Sequence, residues 1–179
     1  TVRRLEDAGA AAIVMHSLFE EQLVGEHLAH SAYTAGPTES FPEALTYFPP
    51  AADFALGPDA YLEQLRRIKA AVAVPVIASL NGCAWGGWLA YSRLLAEAGA
   101  DALELNVYEL AIDPSESAAA IENRLLAMVR AVRGNVSIPV AVKLSPYFSA
   151  LAHLASRLDD AGVDGLVLFN RFYQADLDV

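Results

Sequence analysis

Residues 93–106 read RLLAEAGADALELN: a charged helical end, an Ala-Gly stop, then a short aliphatic run. Two other stretches carry the same pattern, RRLEDAGAAAIVMH at 3–16 and RLDDAGVDGLVLFN at 157–170. Gly9, Gly99 and Gly162 stand where a helix takes a left-handed residue just past its end. Each stretch is therefore a helix handing over to a strand.

A second pair repeats between them. VPVIASLNG (74–82) and IPVAVKLSP (138–146) are β-branched strands entered through a proline. The prolines Pro75 and Pro139, like the glycines Gly99 and Gly162, recur at an interval of roughly 63–64 residues, the mark of an internal repeat. Helical spacing fills the gaps: Tyr61, Leu62, Leu65, Ile68 and Val72; Trp88, Tyr91, Leu94 and Leu95; Ile121, Leu125, Met128, Val129 and Val132; Leu151, Leu154 and Leu158. Strict alternation of strand and helix predicts an α/β fold with a parallel sheet.

Five strands are expected near 12–16, 75–80, 102–107, 139–144 and 165–170. Doubly wound sheets and (β/α)8 barrels both fit that count, but no strand is followed by a glycine-rich dinucleotide fingerprint, and the regular units favour a TIM barrel. A whole barrel takes about 250 residues, so the chain would hold roughly five of eight units. It begins at Thr1 without methionine and stops at QADLDV, and it is read as an internal piece of a longer chain. Residues 1–179 form one partial domain, in which 17–58 are too long for an ordinary connection and are expected to be an excursion or lid.

The bulk numbers narrow the function. Of 179 residues 55% are hydrophobic and 19% charged, enough to bury a core. Twelve basic against twenty-two acidic residues give a net charge of −10, which argues against nucleic acid as the main partner. No apolar run reaches the roughly 18–20 residues of a membrane helix, and the first residues lack a secretion signal, so a cytoplasmic protein without membrane partners is expected. The single Cys83 excludes an intramolecular disulfide and a cysteine-built zinc site.

In barrels the site is built at the C-terminal strand ends, occupied here by His16 and Ser17, Ser79 and Asn81, Glu104 and Asn106, Lys143, and Asn170. A lysine inside VAVKL must be desolvated or paired. It can hold a cation against developing negative charge, act as a Schiff-base nucleophile, or form a structural ion pair with Glu104. Asn106 and Asn170 offer donors and an acceptor in one plane, suited to the edge of a heterocycle or to tying loops together. His16 stands seven residues after Gly9, as Asn106 does after Gly99, and could donate to a ligand or transfer protons, or simply pack. His27 and His30 share a helical face but lack a third ligand, so no metal site is expected. Gly86 and Gly87 read as a turn, and Cys83 as packing.

With these residues in view, the chain resembles the dihydroorotate dehydrogenase family of FMN-dependent barrels, especially its bacterial dihydroorotate dehydrogenase-like members. The resemblance rests on ALELNVY, VAVKLSPYF and GLVLFNRF, in order and at the family's spacing, and runs from the helix before the second strand to the sixth. It implies an oxidoreductase acting on a CH–CH bond, with hydride passing to the flavin N5. Ser17, Asn106 and Lys143 would contact the flavin, Lys143 would stabilise negative charge on the reduced ring, and Asn170 would face a small-molecule substrate.

The chain departs from the family's pattern at three places. His16 stands where the family has a lysine touching flavin and substrate, Glu109, preceded by Tyr108, stands where it keeps its base, and the stretch TYFPPAADF lacks its substrate-binding pattern. Glu109, Tyr108 and His16 are the candidate catalytic groups. The family's FMN phosphate sits on loops after strands seven and eight, so this piece alone is expected to bind FMN poorly. A homodimer is possible on this reading. The rival readings are a cofactor-free barrel lyase or aldolase using Lys143 as a Schiff base, and a non-catalytic barrel fragment.

Overall fold

The computed structural model describes residues 1–19, 58–81, 85–107 and 111–170. Its elements alternate throughout: α1 (Val2–Asp7), β1 (Ile13–Phe19), α2 (Pro58–Lys69), β2 (Val76–Asn81), α3 (Trp85–Glu97), β3 (Ala102–Asn106), α4 (Ala118–Asn135), β4 (Val140–Leu144), α5 (Leu151–Asp160) and β5 (Gly165–Leu168). Most of the expected excursion lies outside the described residues, as do His27, His30, Cys83, Tyr108 and Glu109.

All five strands are parallel and stand in the order β1-β2-β3-β4-β5. Each strand lies beside its predecessor, so the order never reverses. A doubly wound sheet needs such a reversal, and a barrel wall does not. The sequence-based choice between the two is thereby decided in favour of a barrel segment.

The helix-to-strand junctions follow from the repeated glycine. Gly9, Gly99 and Gly162 take φ of 93°, 97° and 86°, the left-handed region that ends a helix without a Cβ clash. Two residues after Gly99 and Gly162 comes an aspartate, absent from the first unit, where Ala11 occupies the place. Asp101 accepts from the Val76 backbone N–H and from Lys69 Nζ, both at 2.6 Å, while its own N–H donates to the Val76 carbonyl. Asp164 does the same to Val140, with its carboxylate 3.4 Å from Arg133. Each carboxylate thus pins the start of its own strand to the start of the strand before.

One face of β2, β3 and β4 is committed to the core. Ala78, Leu80, Leu103, Leu105, Val140, Val142 and Leu144 are fully buried and pack with Leu65 of α2, Leu95 of α3, Val129 and Val132 of α4, and Leu154 and Leu158 of α5. The inner face runs from small or apolar groups at the N-terminal ends (Val14, Ile77, Ala102) to polar ones at the C-terminal ends.

Strand β1 departs from plain alternation. Val14 pairs with Ile77 but Ser17 with Ser79, three steps on β1 against two on β2. The extra residue is a β-bulge, and it moves the buried positions from Ile13 and Met15 to Leu18.

Asp101→Ala or Asp164→Ala should cost about 1–2 kcal/mol each, the loss of a hydrogen bond to a charged acceptor, and lower the melting temperature by roughly 2–6 °C. For Asp101, burial raises the carboxyl's pKa, but Lys69 and the Val76 N–H outweigh it and hold the pKa below its ordinary value. Its stabilising share is therefore present above that ordinary value and is lost as pH falls through the lower folded one. Chemical denaturation near neutrality and in acid should show the Asp101→Ala deficit shrinking in acid.

Candidate active site at the strand ends

The bulge, the register and the alternation together place one row of side chains on the inner face. Ser17 pairs with Ser79, Ser79 with Glu104, and Glu104 with Ala141; one step further on, Asn106 pairs with Lys143. Ser79, Glu104 and Asn106 are buried, and Ser17 and Lys143 are partly exposed.

These groups form one continuous hydrogen-bonded chain. Lys143 Nζ donates to Glu104 Oε1 at 3.0 Å, and Ser79 Oγ donates to the same oxygen at 3.2 Å. Ser79 Oγ lies 2.8 Å from Ser17 Oγ, Asn106 Nδ2 donates to Ser17 Oγ at 3.1 Å, and Asn170 Nδ2 donates to Asn106 Oδ1. Asn170 follows β5, its backbone N–H held by the Leu144 carbonyl at 2.8 Å. Adjacent strands lie about 4.8 Å apart, so β1 and β3 are separated by roughly 10 Å. Asn106 of β3 still reaches Ser17 of β1, so the sheet curls toward this face, as a barrel wall does.

Lys143 shows the ion pair weighed from the sequence, with Glu104. The pair sits at 24% and 7% side-chain exposure, low enough that removing one partner would leave a costly lone charge, of the order of 3 kcal/mol. Among the described residues no other protein acceptor engages the lysine, which leaves two ammonium hydrogens without an acceptor among them.

His16 is placed differently from the count of seven after Gly9. It falls on the bulge, exposed, with its ring edge-on to Tyr61 at 5.1 Å between centroids, and it takes no part in the hydrogen-bonded chain. Ser17 is the residue that joins the row of Ser79 and Glu104. The structure therefore brings together Ser17, Asn106, Lys143 and Asn170 and leaves His16 beside them.

Tyr61 of α2 holds the bulge, a role that the helical spacing did not reveal because a tyrosine there reads as one more apolar position. Its hydroxyl donates to the His16 carbonyl at 2.8 Å and accepts from the Ser79 N–H at 3.4 Å. The phenol is fully buried, and that burial pushes its pKa up to about 12, with the nearby Glu104 charge adding to the rise and the Ser79 backbone opposing it. Among the described residues, no cluster of three or more metal-ligating side chains occurs, and no helix is long and apolar enough to cross a membrane.

A parallel sheet in sequential order, helices on its outer face and polar groups at the strand ends define a segment of a TIM-barrel fold. Solved structures agree. The chain overlays on YagE, a prophage protein of the dihydrodipicolinic acid synthase family from E. coli K12 crystallised with pyruvate, with a TM-score of 0.54 at 16% identity, over 89% of this chain and 43% of that one. It overlays on phosphonopyruvate hydrolase with a TM-score of 0.52 at 16% identity, over 92% of this chain and 60% of that one. At such identities the likeness is one of fold alone.

In sequence the chain is similar to dihydroorotate dehydrogenases. An Aeropyrum pernix protein provisionally named dihydroorotate dehydrogenase A (fumarate) is 36% identical over 116 residues, 60% of this chain and 35% of its own length. Dihydroorotate dehydrogenase A (fumarate) of Lacticaseibacillus paracasei is 32% identical over 108 residues, 59% of this chain and 37% of that one. The catalytic subunit of dihydroorotate dehydrogenase B (NAD(+)) of Methanosarcina acetivorans is 33% identical over 121 residues, 66% and 39% of the two chains. The matched stretch is thus between a third and two fifths of these curated relatives' length. No protein-family model matches the chain.

Tyr61→Phe isolates the bulge clamp. An unfolded tyrosine ionises near pH 10 and the folded one at about 12. Stability is therefore full below pH 10 and falls as pH climbs through 12, by roughly 1.4 kcal/mol per unit. The variant should lose about 1–2 kcal/mol near neutrality, where a buried carbonyl and N–H lose their partner. Denaturation between pH 9 and 12 should show it losing less further stability than the parent.

Proposed function

We propose that this chain serves an FMN-dependent oxidoreductase that moves a hydride between a CH–CH bond of a small substrate and the flavin, in the manner of the dihydroorotate dehydrogenases it is similar to. The observation that carries the reading is the pairing of Lys143 and Asn106 in register at the strand ends, with Asn170 bound to Asn106. Together they offer hydrogen-bond donors toward one side: two ammonium hydrogens and one amide hydrogen. The donor set fits a flavin, whose ring edge carries carbonyl and nitrogen acceptors and gains negative charge on reduction.

FMN, when bound, supplies the hydride acceptor. Lys143 would hold a full positive charge beside the ring, and Asn106 and Ser17 would orient it. Glu104 keeps the lysine aimed, because the ammonium on its flexible stem is fixed by the 3.0 Å bond. Asn170, on the same chain of bonds, would face the substrate. A proton must also move when a CH–CH bond is oxidised or formed, and Glu109, Tyr108 and His16 are the candidates, His16 from its exposed place on the bulge.

The Schiff-base reading needs a neutral amine. Here the Lys143 nitrogen is engaged by the Glu104 carboxylate at 3.0 Å, and among the described residues no neighbouring group is placed to free it for attack on a carbonyl. The fold likeness to a pyruvate-bound barrel does not bear on this, since it extends to the fold only.

The whole protein carrying this sequence should purify yellow, or turn yellow with added FMN, and release FMN on denaturation. Lys143→Met should lower the flavin's reduction potential and slow its reduction by roughly 10²–10³-fold, the usual effect of removing a donor from developing charge. A protein that holds no flavin after reconstitution would overturn the proposal. Borohydride with pyruvate should leave Lys143 unmodified; its covalent trapping would support the lyase reading in its place.

A further inference from the structure

The hydrogen-bonded chain has a direction, and one charge sets it. Glu104 as a carboxylate beside an ammonium has no hydrogen to give, so Ser79 must direct its only hydroxyl hydrogen to Glu104 Oε1. At the 2.8 Å contact between the two serines, Ser79 can then only accept, so Ser17 donates. With its hydrogen used, Ser17 can only accept from Asn106 Nδ2 at 3.1 Å. That turns the Asn106 oxygen toward Asn170, whose amide donates to it. The orientation of an amide on β3 is thereby dictated through two hydroxyls on two other strands.

The geometry points to Ser79 as a positioning residue: it relays the Glu104 charge through Ser17 and so fixes which edge of the Asn106 amide faces a bound ring. In this orientation Asn106 adds a donor beside the Lys143 ammonium, so the site presents donors only at that point and selects a ligand edge of acceptors. Without the Ser79 hydroxyl, Ser17 is free to turn its hydrogen to Asn106 Oδ1. The amide can then flip and place an acceptor or a donor at the site in mixed proportion. Ser79 is 1% exposed and lies behind this surface, acting through Ser17 and not on the ligand. The inference rests on the proposed flavin reading for what the amide faces, but not for how it is fixed.

The test separates the two. In the protein without ligand, side-chain amide hydrogens labelled with ¹⁵N at asparagine report the relay directly. Asn135, whose Nδ2 donates to the Leu89 carbonyl at 2.8 Å, is the internal control. Ser79→Ala should speed exchange of the Asn106 amide hydrogens by about tenfold or more and leave Asn135 unchanged, and Ser79→Thr, which keeps the hydroxyl, should restore the slow rate. Should Ser79→Ala fail to fold, Ser17→Ala breaks the chain one link later and should give the same loosening.

In the whole protein, Ser79→Ala should weaken FMN binding by roughly tenfold, equivalent to about 1.4 kcal/mol, with Ser79→Thr near the parent. Unchanged Asn106 exchange in Ser79→Ala overturns the relay. A flavin-free protein with the expected exchange pattern overturns the flavin reading and leaves the relay standing.

Discussion

In a sheet covered by helices, the outward side of each strand has to be apolar, because it alone can meet the helices. Leu103 and Leu105 of β3 and Val140, Val142 and Leu144 of β4 are all completely buried for that reason. Side chains in a strand alternate faces, so every residue between them is forced onto the inner side. Glu104, Asn106 and Lys143 are therefore gathered by the same rule that builds the core. Their chemistry adds no cost to the packing of the outer layer, and changes among them leave that layer intact.

What the inner face must solve is electrostatic. A lysine held among aliphatic strands is unfavourable alone, and Glu104 one strand away compensates it. The compensation does not end at the pair. Ser79 takes up a second lone pair of the same oxygen, and the remaining polar groups follow in sequence to Asn170, so each buried polar atom of the row meets a partner. Further down the inner face, Val14, Ile77 and Ala102 leave no polar group to satisfy.

Much of this was legible before any coordinates. The glycine stops marked each helix end, and the five aliphatic runs marked the strands to within a residue or two at most ends, because helix and strand periods differ and the repeat gives each signal more than once. The Lys143–Glu104 pair was legible as one of three readings, since parallel neighbours place facing residues side by side. Three things were not. The first strand runs to Phe19 and not to 16, because a bulge leaves no trace in residue type. His16 consequently does not occupy the place that counting from Gly9 suggests. Tyr61 was hidden because its ring satisfies the apolar pattern while only its hydroxyl does the holding.

The bulge in β1 makes the tip of that strand a reading frame. Upstream of it odd-numbered residues face the helices, and downstream even-numbered ones do. Even pairing of the same residues, without the bulge, would send Ser17 outward and set His16 opposite Ser79, exchanging a hydroxyl for an imidazole. Loss of one residue at Met15 or His16 would instead straighten the strand and leave Ser17 in the polar row. The bulge thus decides which side chain of β1 fills the place opposite Ser79. Aligned residue for residue with an evenly paired strand, the tip of β1 sets side chains against others that point in the opposite direction.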